Sequence, residues 1–279
     1  MDRLSTLLSQ FGVRARLFHS GTVCSVASIG DPGPYGYLHL LRSGSVTLHS
    51  PKEPDLLVTR PSLMFLPRPL PHTMIASEAD PAKLLCATLA FDGGGSNPLS
   101  ASLPDRLVLA LDELPMLAET LRWLFEEAAA ENCGKEAVLD RLFELLVIQL
   151  LRHLLAHQGL STGMMAGLAD PRLSRSLVQM HNMPQRAWTV SELASESNMS
   201  RASYAAHFRA VLGQTPADYL LSWRVSLAQK RLLQGRPIAL IADEVGYESP
   251  SALARAFRRK TGSSPRDWMK SLQADPQSA

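Results

Sequence analysis

The 279-residue sequence predicts a multidomain α+β chain: a β-rich N-terminal part, a helical middle segment, and an all-α C-terminal part built from a repeated two-helix module. Three observations carry this. Short apolar runs broken by proline and glycine fill residues 17–92. Two long helical runs follow over 114–157. Then FRAVLGQTPADY, beginning at Phe208, returns 49 positions later as FRRKTGSSPRDW, beginning at Phe257. Phe208 matches Phe257, Gly213 matches Gly262, Thr215 matches Ser264, Pro216 matches Pro265, Asp218 matches Asp267 and Tyr219 matches Trp268. Self-similarity of this kind marks a duplicated structural unit.

Composition narrows the class. Hydrophobic residues make up 46% and charged residues 19%, a globular and not a disordered balance. The net charge of +2 hides an asymmetry. Residues 171–279 hold 15 Lys and Arg against 8 Asp and Glu, while residues 1–170 hold 13 against 18. A basic C-terminal part points to a polyanionic partner. The three cysteines, Cys24, Cys86 and Cys133, form no CxxC pair, and an odd count is a poor disulfide framework, so a reduced cytoplasmic setting is expected. MDRLSTLLSQ lacks the apolar core of a signal peptide, and no run of 18 apolar residues exists, so no membrane association is expected.

In chain order, YLHLLRSGSVTLHS (37–50) alternates weakly around a turn signal at Ser43–Gly44. Prolines at 61, 67, 69 and 71 exclude a helix from the next stretch, and KLLCATLAF (83–91) reads as a buried strand. Short strands with frequent turns predict a small barrel or jelly roll over 1–112. LPMLAETLRWLFEEAAAEN (114–132) and GKEAVLDRLFELLVIQLLRHLLAH (134–157) are two helices. The second is apolar on more than one face, so 113–157 is expected to bury against a bundle or a second copy and to dimerise the chain. QGLSTGMMAGLA (158–169), with no period, is expected to be a linker. Asp170–Pro171 then opens the C-terminal domain, 170–274, with an N-cap and a helix-starting proline.

Each repeat reads as two short helices around a tight turn. Thr189 with Glu192 is a capping box, Asn198–Met199 a turn, and Ser200 the cap of the next helix. In the second copy Gly246 is the turn, Ser249 the cap and Pro250 the first helical residue. This is a helix-turn-helix written twice. Pro216 to Gln234 joins the copies as one helix of roughly 28 Å. Two probing helices held about 34 Å apart would reach successive major grooves of double-stranded DNA.

Residues 171–272 resemble the DNA-binding domain of the AraC/XylS family of bacterial transcription regulators, and IADEVGYESPSALARAFRRKTGSSPRDW is close to that family's signature. The upstream segment is similar to the cupin-like sensing domains that many members carry. The resemblance implies a sequence-specific DNA-binding regulator, an activator working with RNA polymerase, modulated by a small-molecule effector. It places base-reading positions on Ala202, Ala205 and Ala206 in the first module and on Ser251, Ala254 and Arg255 in the second. Ser200, Arg201, Ser203, His207 and Arg209 complete the groove side of the first helix, and Ser249, Arg258 and Arg259 that of the second, with Lys260 beside them. Alanines can meet only thymine methyls, whereas the Arg255 guanidinium fits guanine O6 and N7. Arg201, Arg209, Arg258 and Arg259 suit phosphates.

For the sensing domain three chemistries are open. Cys24, His39, His72 and Cys86 are potential ligands, and His39, His72 and Cys86 would suit a divalent metal such as Zn. Cys24 and Cys86 could form a redox pair if their Cα atoms lie within about 7 Å. Arg60 and Arg68 could grip an anionic metabolite such as a cyclic dinucleotide. Two other readings stand beside the regulator: a cupin-type metalloenzyme with an appended DNA-binding module, and a constitutive DNA-binding protein. No nucleophile elbow, phosphate loop or HExxH motif favours an enzyme.

Overall fold

Apolar runs cut by proline and glycine cannot extend into helices, and in this chain they become strands. The computed structural model describes residues 2–27, 33–51, 53–157, 160 and 162–274. A short helix, α1 (Ser5–Gln10), precedes β1 (Val13–Val23), β2 (Val26–Ala27), β3 (Gly36–Ser43), β4 (Val46–Ser50), β5 (Glu53–Val58), β6 (Ser62–Leu66), β7 (Thr73–Ile75) and β8 (Ala82–Phe91). Then come α2 (Pro98–Ala101), β9 (Leu107–Ala110), α3 (Ala118–Ala129) and α4 (Lys135–Ala156). The chain divides into two units. One is Val13–Phe91 with Pro104–His153. The other is Met1–Gly12 with Asp92–Leu103 and Leu154–Ala279.

The first unit holds two antiparallel sheets, ordered β1-β8-β3-β6-β9 and β2-β7-β4-β5. Leu41, Met64, Leu84 and Cys86 of one sheet meet Val46, Leu48, Val58 and Met74 of the other in a shared core. The first six residues of β3 and all of β6 are buried on both faces. That explains why this stretch alternates so weakly in sequence. β1 is an edge strand, and α4 covers it: the Leu17 N–H donates to Asp140 at 2.7 Å and the Ala15 N–H to Glu144 at 3.3 Å. Exposed edge donors are thereby satisfied.

The expected turn at Ser43–Gly44 forms, but it moves the chain from one sheet to the other and does not close a hairpin. Gly44 has φ +80°, and a Cβ there would lie 2.1 Å from the Pro81 carbonyl oxygen. Strain and overlap act together, so Gly44→Ala should cost about 2 kcal/mol or more. Thermal unfolding would read this as a lowered melting temperature, and an unchanged value would contradict the close approach.

The second unit is helical: α5 (Met164–Ala169), α6 (Ser174–Asn182), α7 (Val190–Glu196), α8 (Arg201–Leu212), α9 (Pro216–Leu233), α10 (Ile238–Glu244), α11 (Pro250–Thr261) and α12 (Pro265–Ala274). Two sequence expectations change here. The linker placed over 158–169 ends in α5, whose six residues are all buried. Gly167 lets Leu177 and Leu212 pack where its Cβ would stand. Residues 158, 159 and 161 lie outside the described residues. The segment 1–112 also does not form one unit, although every described strand ends before 112. Leu4, Leu7 and Phe11 from the N-terminus and Leu99 from the 92–103 segment are buried within the helical unit. Phe11 sets its edge against Trp223 at 5.1 Å, and Lys230 donates to the Gln10 carbonyl and lies 3.4 Å from the Asp92 carboxylate.

The repeat is borne out in the backbone. Ser200 and Ser249 cap α8 and α11, Thr215 caps α9, and Gly213 and Gly262 end the two helices in the left-handed conformation. The turns are also left-handed, at Asn198 (φ +51°) and Gly246 (φ +83°). These sit 48 residues apart while the caps sit 49 apart, so the second module carries one extra residue between turn and cap.

His181 is buried where α6 meets α9, with Nε2 2.6 Å from the Tyr219 hydroxyl and its ring stacked on Trp223 at 4.0 Å. Burial pulls its pKa down to about 3. The unfolded chain takes this proton near pH 6.5, so below that pH the unfolded state binds the extra proton and stability falls, by up to about 1.4 kcal/mol per pH unit. Melting temperatures should drop as pH goes from 7.5 to 5, less steeply in His181→Asn. Equal slopes would mean that His181 is not the titrating group.

Candidate nucleic-acid interface and sensing residues

The two recognition helices are held by their apolar faces. α8 buries Tyr204, Phe208 and Leu212, with Phe208 edge-on to Tyr219 at 5.7 Å. α11 buries Leu253 and Phe257, with Phe257 edge-on to Trp268 at 5.7 Å. The aromatic pairs are the repeated positions, so each module closes the same way. Among the exposed residues are Arg201, Ala202, Ser203, Ala206 and Arg209 on α8, and Ser251, Arg255, Arg258, Arg259 and Lys260 on α11. Ala205 and Ala254 are partly covered.

Three predicted contacts serve the fold. The Ser200 hydroxyl accepts from the Ser203 N–H and the Ser249 hydroxyl from the Ala252 N–H, both at 3.2 Å, so both are occupied as caps. His207 is turned away to Asp170, with Nε2 2.7 Å from its carboxylate, while Nδ1 lies 3.2 Å from the Arg172 guanidinium. Burial pushes the Asp170 carboxyl pKa up, but bonds from the Arg172 N–H, His207 and the Leu173 N–H outweigh it and leave it below the ordinary value.

Several arginines elsewhere in the unit are paired with carboxylates. Arg175 pairs with Glu196 at 3.0 Å, Arg186 with Glu192 at 2.7 Å, and Arg231 and Arg236 both with Glu244. Arg201, Arg209, Arg255, Arg258, Arg259 and Lys260 have no ion pair among the described residues. Cations left without carboxylates on two exposed helix faces are what phosphates and base edges require.

In the β unit the predicted sensing residues are only partly brought together. His39 and His72 are buried, with their Nε2 atoms 3.0 Å apart. His72 Nδ1 lies 2.7 Å from the Leu70 carbonyl and must donate to it, so its Nε2 accepts and His39 Nε2 donates. His39 Nδ1 is then a buried lone pair without a partner, and His19 Nε2 is a second buried ring nitrogen with no hydrogen-bond partner. Burial lowers both the His39 and His72 pKa, the first also through His72 and His19, so the pair is neutral. Cys86 is the cross-strand neighbour of His39 on one side and of His19 on the other. No group of three or more His, Cys, Asp and Glu able to hold a metal is assembled among the described residues. The expected Zn set of His39, His72 and Cys86 is therefore a hydrogen-bonded imidazole pair beside a thiol.

The redox pair is corrected. Val23 pairs with Ala82, so exposed Cys24 lies about five register positions, roughly 16 Å, from Cys86, far beyond disulfide reach. Burial also pushes the Cys86 thiol pKa well up, the reverse of what reactivity needs. Arg60 faces Glu113 at 2.7 Å and Arg68 faces Asp105 at 2.6 Å, so each guanidinium has a carboxylate beside it.

A family model described as a cupin matches residues 2–156, and one described as a helix-turn-helix domain matches residues 193–271. The chain is 30% identical over 241 residues, 84% of each chain, to the RCS-specific HTH-type transcriptional activator RclR of Escherichia coli K12. It is 38% identical over 177 residues to a putative AraC-like transcription regulator of Streptomyces antibioticus. This chain belongs to the AraC-type transcriptional regulators with an N-terminal cupin domain. The match to the Streptomyces protein spans 58% of this regulator and 58% of that relative. The solved DNA-binding domain of AdpA, in complex with a target DNA, is 32% identical and aligns with 39% of this regulator and 99% of that chain, with a TM-score of 0.35.

One residue of this regulator's sensing unit escaped the sequence reading. His19 stands in β1, where a register shift between Leu17 and His19 breaks the alternation. No local sequence pattern marks it, because its link to Cys86 and His39 is made across strands.

Proposed function

We propose that this regulator binds double-stranded DNA at two adjacent half-sites, one for α8 and one for α11, and activates transcription beside RNA polymerase. The observation that carries the reading is the set of exposed, unpaired cations on the two repeated helices. α9, 18 residues and so roughly 27 Å long, is of the length needed to span neighbouring major grooves. With three alanines on its reading face, α8 contributes mainly backbone contacts, and α11 supplies direct readout through Arg255. The chain works as a regulator in the cytoplasm, not as an enzyme. Among the described residues, no helix is long and apolar enough to cross a membrane.

Exposed Met116 and Trp123, on and just before α3, and Val138 and Leu145 on α4 supply a face for a homodimer. The β unit is the receiver for a small effector, with the His39–His72 pair as an internal imidazole couple. A bound effector acts by favouring one state of the regulator over another. Genome-wide mapping of binding sites, with and without oxidant, tests the whole reading. Enrichment of one bipartite motif supports it, and scattered occupancy with no motif contradicts it.

A further inference from the structure

We infer that Arg224 is the positioning residue that fixes the phase of the two recognition helices, and so the spacing of half-sites the protein accepts. It rests on the two-half-site reading above. Arg224 lies on α9. Its Nε donates to the Pro184 carbonyl at 2.6 Å and its Nη2 to the Arg186 carbonyl at 2.9 Å, both in the loop that leads into the first helix-turn-helix. Its Nη1 donates to the Gly246 carbonyl at 3.3 Å, in the turn of the second, and its guanidinium lies 5.4 Å from the Tyr247 ring centre. One planar group therefore ties both modules to the helix between them.

Two features mark this as a joint and not a charge pair. Arg224 has no carboxylate partner among the described residues, whereas Arg186, Arg231 and Arg236 each have one. Also, Gly246 brings the second turn against the first loop: a Cβ there would lie 2.6 Å from Gln185 Cα. The fork of donors matches carbonyls on two loops at fixed angles, which a lysine cannot do. The module cores lie elsewhere, around Tyr204 and Phe208 and around Leu253 and Phe257.

The experiment uses the full chain. Selection from random duplex DNA gives the wild-type operator, and the spacer between half-sites is then altered by −1, +1 and +2 base pairs. Each base pair turns one half-site by roughly 34° relative to the other. Wild type should lose roughly tenfold in affinity per altered base pair. Arg224→Lys and Arg224→Gln should fold, keep the same base preferences within each half-site, and lose only roughly threefold or less per base pair. A wild-type spacing profile in both variants would overturn the inference. So would an equal loss at every spacing, which is what general destabilisation gives, or failure of Arg224→Gln to fold. If wild type selects no bipartite site, the reading on which this rests falls first.

Discussion

Arg255→Ala should weaken binding to the preferred operator by about 1–3 kcal/mol, roughly 5- to 150-fold, while leaving binding to unrelated DNA nearly intact. Arg255 is exposed on α11, free of ion pairs among the described residues, and flanked by Ser251 one turn earlier and Arg258 one turn later. Phosphate contacts add affinity for any sequence, so losing one lowers specific and non-specific binding together. A bidentate contact to guanine adds affinity for one base alone. Titrating the operator and a single-base variant against both proteins separates the two cases. A specificity ratio unmoved by the substitution would remove Arg255 from base readout.

Phe257→Ala should destabilise the helical unit by about 3–5 kcal/mol. Phe257 is fully buried, joins α11 to α12 through Trp268, and is the repeat partner of Phe208. Domains of ordinary stability hold only about 5–15 kcal/mol in total, so this change consumes much of the margin. Thermal unfolding should show the drop, and specific DNA binding should fall with it. Arg258→Ala, one position on but exposed, should leave the melting temperature nearly unchanged. Equal melting temperatures for Phe257→Ala and wild type would mean that the second module does not close on this ring.

The duplicated module was legible because its signals are local. Caps, left-handed turns and aromatic spacing sit within a dozen residues of one another, and Ser200, Ser249, Gly213 and Gly262 take the roles their types predict. The β-rich character of residues 17–92 was legible for the same reason, through proline and glycine. What stayed hidden depends on partners distant in sequence. Leu4, Leu7 and Phe11 look like an ordinary N-terminal helix, and only packing shows that they belong to the helical unit. Met164, Met165 and Leu168 were masked by glycine and serine around them. Arg60 and Arg68 looked free because their acids, Glu113 and Asp105, lie 53 and 37 residues away. His207 looked like a groove residue because Asp170 is 37 residues upstream.

The most direct test of two coupled readers on one duplex is hydroxyl-radical footprinting of the full-length protein on its selected operator. Two protected patches on the same face, about 10–10.5 base pairs apart centre to centre, are the predicted result. A single protected patch, or two patches on opposite faces of the helix, would contradict the account.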